Sequence, residues 1–321
     1  MRAVVRDVYG GPEVLALAEA EPPAPADDEV QIRVRAVAVS TGDVLLLHGE
    51  PRAVRLAFGL RRPKGRVIGR DVAGEVAAVG SAVTGFRVGD AVYGEADQGG
   101  FAELVTVPER FVASRPASVD AVHAAAVVVS GTTALQGLRL AGLVPGQHVL
   151  VNGASGGVGG FAVQLAKAMG AEVTGVCRGS KAEYVRAIGA DRVIDYEAED
   201  FTANEGRYDV VFDLVADHPL GRVRRSLARR GTLVLSSGRG GRVLGPIGRM
   251  AAASVVSPFV PQRLRTLAAR RSGDDLAELA RRIDAGEVRP VVDEVFPLDR
   301  AADAVARLES GAVRGKVVIE V

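Results

Sequence analysis

The residues with the clearest chemical reading are Ala154-Ser155-Gly156-Gly157-Val158-Gly159, inside the run HVLVNGASGGVGG at 148–160. The pattern A-x-G-x-x-G is a form of the glycine fingerprint that brings a backbone turn against a pyrophosphate. Gly156 lets the main chain approach the phosphates, and Gly159 lets the following helix pack on the preceding strand. The start of that helix offers unpaired N–H groups and a partial positive charge to an anion. Ala154 stands where the strict motif has its first glycine, which changes the motif but not its mechanism.

A second group follows the next strand-like run. Dinucleotide folds that take NAD end this strand in Asp or Glu, which accepts hydrogen bonds from the ribose 2′-hydroxyl. Here the run ends Val176-Cys177 and continues Arg178-Gly179-Ser180-Lys181, with no carboxylate before Glu183. A carboxylate repels a 2′-phosphate, whereas Arg178 and Lys181 attract one and Ser180 can donate a hydrogen bond to it. Cations at a helix start are otherwise unfavourable. The expected cofactor is therefore NADPH.

These residues need a parallel sheet behind them, and the sequence supplies its pattern. His148–Val151 reads as a short apolar strand. Val158, Phe161, Ala162, Leu165, Ala166 and Met169 then form one buried helical stripe. Glu172–Cys177, Arg192–Ile194, Tyr208–Phe212 and Thr232–Leu235 read as further strands, with a helix over 181–188 ending at Gly189. Alternation of this kind implies a parallel sheet covered on both faces. Before about residue 120 the chain reads instead as short strands and turns, as in Val30–Val37, which alternates with period two, and Ala91-Val92-Tyr93 after Val88-Gly89-Asp90. Strand character returns at Val291–Val295 and Lys316–Val321. The expected class is α/β. One β-rich domain comprises residues 1–122 and 291–321, and a doubly wound parallel-sheet domain comprises 123–290.

Composition excludes several alternatives. A net charge of +1 and a 4% aromatic content without Trp argue against a nucleic-acid or membrane partner. The single cysteine, Cys177, can form neither an intramolecular disulfide nor a cysteine-rich zinc site. The N-terminal residues lack the apolar core of a secretory signal, and no 18-residue stretch reads as apolar enough to cross a bilayer. A cytoplasmic protein is expected.

Further motifs carry a family resemblance. They are Tyr9-Gly10-Gly11-Pro12-Glu13-Val14-Leu15, Gly69-Arg70-Asp71-Val72-Ala73-Gly74-Glu75-Val76 with Val79-Gly80, Phe86-Arg87-Val88-Gly89-Asp90-Ala91-Val92, and Gly100-Phe101-Ala102-Glu103. To these are added Thr132-Thr133-Ala134-Leu135, the glycine loop, Gly189-Ala190-Asp191, Ile194-Asp195-Tyr196 and Gly315-Lys316-Val317-Val318. Over nearly its whole length the chain resembles the medium-chain dehydrogenase/reductases, in their zinc-independent quinone-reductase branch. The resemblance implies a GroES-like first domain, a Rossmann second domain, an active site in the cleft between them, and a homodimer joined through an edge of the Rossmann sheet. Segment 254–267, SVVSPFVPQRLRTL, is the expected edge. It also implies that Tyr196 adds a 2′-phosphate contact and Lys316 a further cofactor contact.

Zinc alcohol dehydrogenases of this superfamily have Cys where this chain has Ser40, and His where it has Arg70. A serine hydroxyl is a poor zinc ligand and a guanidinium is none. His48, His123, His148 and His218 are scattered without ligand spacing. No metal is expected. Without a Lewis acid, the fitting substrates are those that accept hydride readily, quinones and C=C bonds conjugated to a carbonyl. The protein's part is to orient the reactants and stabilise a developing oxyanion. Ser40, in Ser40-Thr41-Gly42-Asp43, is the expected hydrogen-bond donor, with Asp43 holding its loop. In quinone reductases Asn commonly takes the place of Ser40. Thr133 is expected near the nicotinamide or as a helix cap, and Tyr93 near the substrate or in packing. Two other functions remain open, a metal-free alcohol or carbonyl dehydrogenase and a non-catalytic dinucleotide sensor.

Overall fold

The structure is a computed structural model that describes residues 1–236 and 247–321. Contacts divide the chain into two compact units, Met1–Thr132 with Arg271–Val321, and Thr133–Arg270.

In the first unit the long strand Glu29–Val39 is the organising element. It pairs antiparallel with Asp71–Val79, with Leu104–Pro108 and with the C-terminal strand Lys316–Glu320. Ala91–Glu95 and Val112–Ser114 continue the sheet on one side. Val292–Pro297 lies parallel to Lys316–Glu320 on the other. Inward residues of the long strand, Val30, Ile32 and Val34, join Val72, Val92, Phe101 and Val317 in one buried core. This alternation is the period-two pattern legible in the sequence. The late return of the chain to this sheet brings Lys316 beside the strand that begins at Asp71.

The second unit holds a six-stranded sheet in the order Arg192–Asp195, Glu172–Cys177, His148–Asn152, Tyr208–Asp213, Leu227–Leu235, Arg263–Thr266. Every neighbouring pair is parallel. The first strand in sequence lies centrally, with the next two on one side and the last three on the other. This is the doubly wound order in which ligands bind at the carboxyl ends of the strands.

Two elements depart from the sequence expectation. Residues 121–141 form one continuous helix, Ala121–Ala141, through which the division between the units passes. It is the one described helix long and apolar enough to cross a membrane, contrary to the expectation that no such stretch exists. Most of it, however, is buried within the protein. Arg263–Thr266 is a strand at the open edge of the parallel sheet, within the segment expected to lie there. It was not legible as a strand because only Leu264 of its four residues is buried.

Candidate functional site

The glycine loop sits where the fingerprint requires it. The strand His148–Asn152 ends at Gly153, and the helix Gly157–Ala168 begins directly after the turn. Gly153 and Ala154 both donate their N–H groups to the Val176 carbonyl, which fixes the turn to the next strand. A Cβ at Gly159 would lie 2.1 Å from the Gly153 oxygen, so only glycine lets the helix seat here. At Gly156 a Cβ would meet nothing closer than the Gly153 oxygen at 3.5 Å. The protein leaves that side of Gly156 open, as a cradle for a ligand must. The helix starts without a side-chain cap and without an acidic residue in its first turn. Its first N–H groups, on Gly157, Val158 and Gly159, have no partner within the helix ladder and are placed to bind an anion. Phe161, Ala162, Leu165 and Ala166 are buried as the stripe predicted. Val163 is buried too, because the helix is covered on more than one face.

Strand pairing assembles the second group. Asp195 pairs with Cys177, and Tyr196 donates its N–H to the Cys177 carbonyl. Tyr196 thereby stands beside Arg178 and shares a hydrogen bond with its side chain. Ser180 and Lys181 follow in a short 3-10 turn, Gly179–Lys181. The same pairing brings two carboxylates that a linear reading could not place. Glu197 accepts from Arg178 at 3.1 Å, and Asp195 packs under Gly179. The charge of Arg178 is therefore partly answered within the protein.

In the first unit Ser40 caps the helix Thr41–His48. Its hydroxyl donates to Asp43 Oδ2 at 2.7 Å and accepts from the Asp43 N–H, while Asp43 Oδ2 also accepts from the Ser40 N–H. Asp43 thus holds its loop as expected. The Ser40 hydroxyl hydrogen, expected to serve a substrate, is directed at this carboxylate in the structure. Burial, reinforced by nearby Asp71, raises the Asp43 pKa to about 6 against the pull of Ser40 and Lys316.

Three further candidate residues have surroundings that the sequence did not show. Lys316 is buried with its ammonium 3.0 Å from Asp71 Oδ2, in an ion pair within the protein. Tyr93 is fully buried and its hydroxyl donates to the Leu276 carbonyl. It is a packing residue, and burial pushes its phenol pKa well up. Thr133 is buried inside the helix Ala121–Ala141, not at its start, so it caps nothing.

A polar residue near Ser40 that the sequence reading did not name as a site candidate is Arg70. Its guanidinium pairs with Glu95 through Nη2, and its buried Nε has no partner. A Cβ built on Gly42 would lie 3.6 Å from Ser40 Oγ and 3.9 Å from Arg70 Nη1, so these two atoms border the same small space. Burial raises the Glu95 pKa to about 7 despite Arg70. The available signal was the Arg in Gly69-Arg70-Asp71, a cation where a zinc enzyme places a ligand.

A zinc ion does not fit this set. Ser40 and Arg70 stand at the ligand positions, and Arg70 already neutralises Glu95. Among the described residues no three His, Cys, Asp or Glu side chains are grouped to hold a metal. His48, His123, His148 and His218 each face a carboxylate instead.

Comparison with known proteins shows the family of the chain. Residues 26–117 match the alcohol dehydrogenase GroES-like domain, and residues 188–319 the zinc-binding dehydrogenase family model. The chloroplast envelope quinone oxidoreductase homolog of Arabidopsis thaliana is 34% identical over 78% of this chain and 78% of its own length. The NADPH-dependent alkenal/one oxidoreductase of the same plant is 33% identical over 80% of this chain and 64% of its own. The quinone oxidoreductase of Coxiella burnetii superposes with a TM-score of 0.88 at 29% identity, covering 100% of this chain and 99% of that one.

Proposed function

The chain belongs to the medium-chain dehydrogenase/reductase superfamily, in its quinone-oxidoreductase-like branch, and from that premise we propose that it is an NADPH-dependent, zinc-independent reductase of quinones or of C=C bonds conjugated to a carbonyl. The observation that carries the reading is the open face of Gly156 at an uncapped helix start, beside the cluster Arg178, Ser180, Lys181 and Tyr196. The cradle N–H groups hold the pyrophosphate, and the cluster holds the 2′-phosphate by charge-assisted hydrogen bonds. The chemistry that NADPH supplies when bound is hydride transfer to an electrophilic carbon or a quinone.

Arg70 donates to the substrate oxygen on which negative charge develops, in place of the Lewis acid that Ser40 and Arg70 preclude. Glu95 orients Arg70 through their ion pair. Asp43 and Ser40 fix the neighbouring loop. Thr133 lines the nicotinamide side, and solvent supplies the proton. The protein works in the cytoplasm as a homodimer joined along the exposed edge strand Arg263–Thr266, which lacks a partner strand on its outer side among the described residues.

Following NADPH oxidation over a panel of quinones, 2-enals, 2-enones, aldehydes and simple alcohols tests the reaction class. Turnover of quinones or enones is expected. Efficient oxidation of simple alcohols with no turnover of quinones or enones would sink the reading in favour of a metal-free alcohol dehydrogenase.

A further inference from the structure

The segment Pro51–Arg66, PRAVRLAFGLRRPKGR, contains Arg52, Arg55, Arg61, Arg62, Lys64 and Arg66 and no acidic residue, in a chain whose net charge is +1. Within it three large apolar side chains face water, Leu56 at 75% exposure, Leu60 at 67% and Phe58 at 37%. The segment is held in place rather than loosely attached. Arg55 donates to the His48 and Gly49 carbonyls and stacks over the Tyr9 ring, and the Tyr9 hydroxyl donates to the Gly59 carbonyl. The Lys64 N–H closes the loop on the Phe58 carbonyl. Arg66 is paired with Asp7, while Arg61, Arg62 and Lys64 are exposed in the same segment as the apolar side chains.

We infer that this face docks on an anionic lipid surface. Exposed apolar side chains interleaved in sequence with exposed cations match the boundary between acidic head groups and acyl chains, where the apolar tips enter and the charges stay among the phosphates. A nucleic acid would use the cations but gives Leu56 and Leu60 nothing to enter. A second copy of the chain would bring Arg61, Arg62 and Lys64 against their own kind. The sequence expectation of no membrane partner rested on overall charge, which averages away this local excess. Docking places the protein where an apolar quinone dissolves. That consequence rests on the quinone reading, whereas the docking itself does not.

The experiment is flotation of the purified full chain with vesicles of phosphatidylglycerol and phosphatidylcholine in equal parts, compared with phosphatidylcholine alone, without cofactor or substrate. Salt-sensitive binding to the anionic vesicles only is expected. The triple substitution Arg61→Ser, Arg62→Ser, Lys64→Ser is expected to weaken it on the order of a hundredfold. Leu56→Ser with Leu60→Ser is expected to weaken it as well. Both variants keep wild-type turnover of a water-soluble quinone, since neither touches the glycine loop or Arg70. Wild type left unbound, variants that bind as well as wild type, or a segment that instead retains duplex DNA or drives self-association would each overturn the inference.

Discussion

A Gly156→Val protein is expected to fold normally and to lose NADPH affinity by about a hundredfold or more, the worth of two charge-assisted hydrogen bonds at the pyrophosphate. The structure separates the two roles that a glycine loop combines. Gly156 has φ −82°, which any residue adopts, and room for a Cβ within the protein, so a valine there obstructs only what enters from outside. Gly159 is the opposite case, because its Cβ would collide with the backbone at Gly153 and Ala154. Gly159→Val is therefore expected to damage the fold of the second unit before cofactor binding is reached. Thermal melts with a fluorescence titration of NADPH on the same samples distinguish the two. A folded Gly156→Val protein with unchanged NADPH affinity would remove this residue from the site.

Lys316→Met is expected to cost about 3–5 kcal/mol of stability at neutral and higher pH, because it strands the buried carboxylate of Asp71 beside that of Asp43. The pH dependence follows from the raised pKa. A carboxyl whose folded pKa lies above its unfolded one favours folding at low pH, and that benefit is lost as pH rises through the folded value. For Asp43 the window runs from its ordinary 3.8 to about 6. Removing the ammonium takes away a charge that favours ionised Asp43, so the variant's deficit grows as pH rises and shrinks in acid. Urea denaturation of both proteins on either side of that window measures this. A deficit equal at low and high pH would show that the lysine acts through packing alone.

What the sequence made legible was local. The turn from Asn152 to Gly157 and the apolar runs of the central parallel strands carry their own pattern, and the structure has them in place. The strand Leu227–Leu235 extends further than expected because Arg229 and Arg230 interrupt its apolar run while facing solvent. Helix Ala121–Ala141 was not legible as a unit because apolar residues surround it on nearly all sides and leave no stripe to read. What the sequence could not show at the site are partners distant in sequence. Lys316 meets Asp71, Tyr93 meets the Leu276 carbonyl, and Arg178 meets Glu197 from the turn after the next strand. Ser40 is the local exception, where a serine three residues before an aspartate spelled a helix cap whose hydrogen bond competes with catalysis.

The reading of this protein as a reductase that works without a metal is tested most directly by assaying zinc and NADPH-linked quinone reduction on one preparation, before and after chelation. Less than stoichiometric zinc and an undiminished rate are the expected results. One tightly held zinc per chain, lost together with activity, would contradict it.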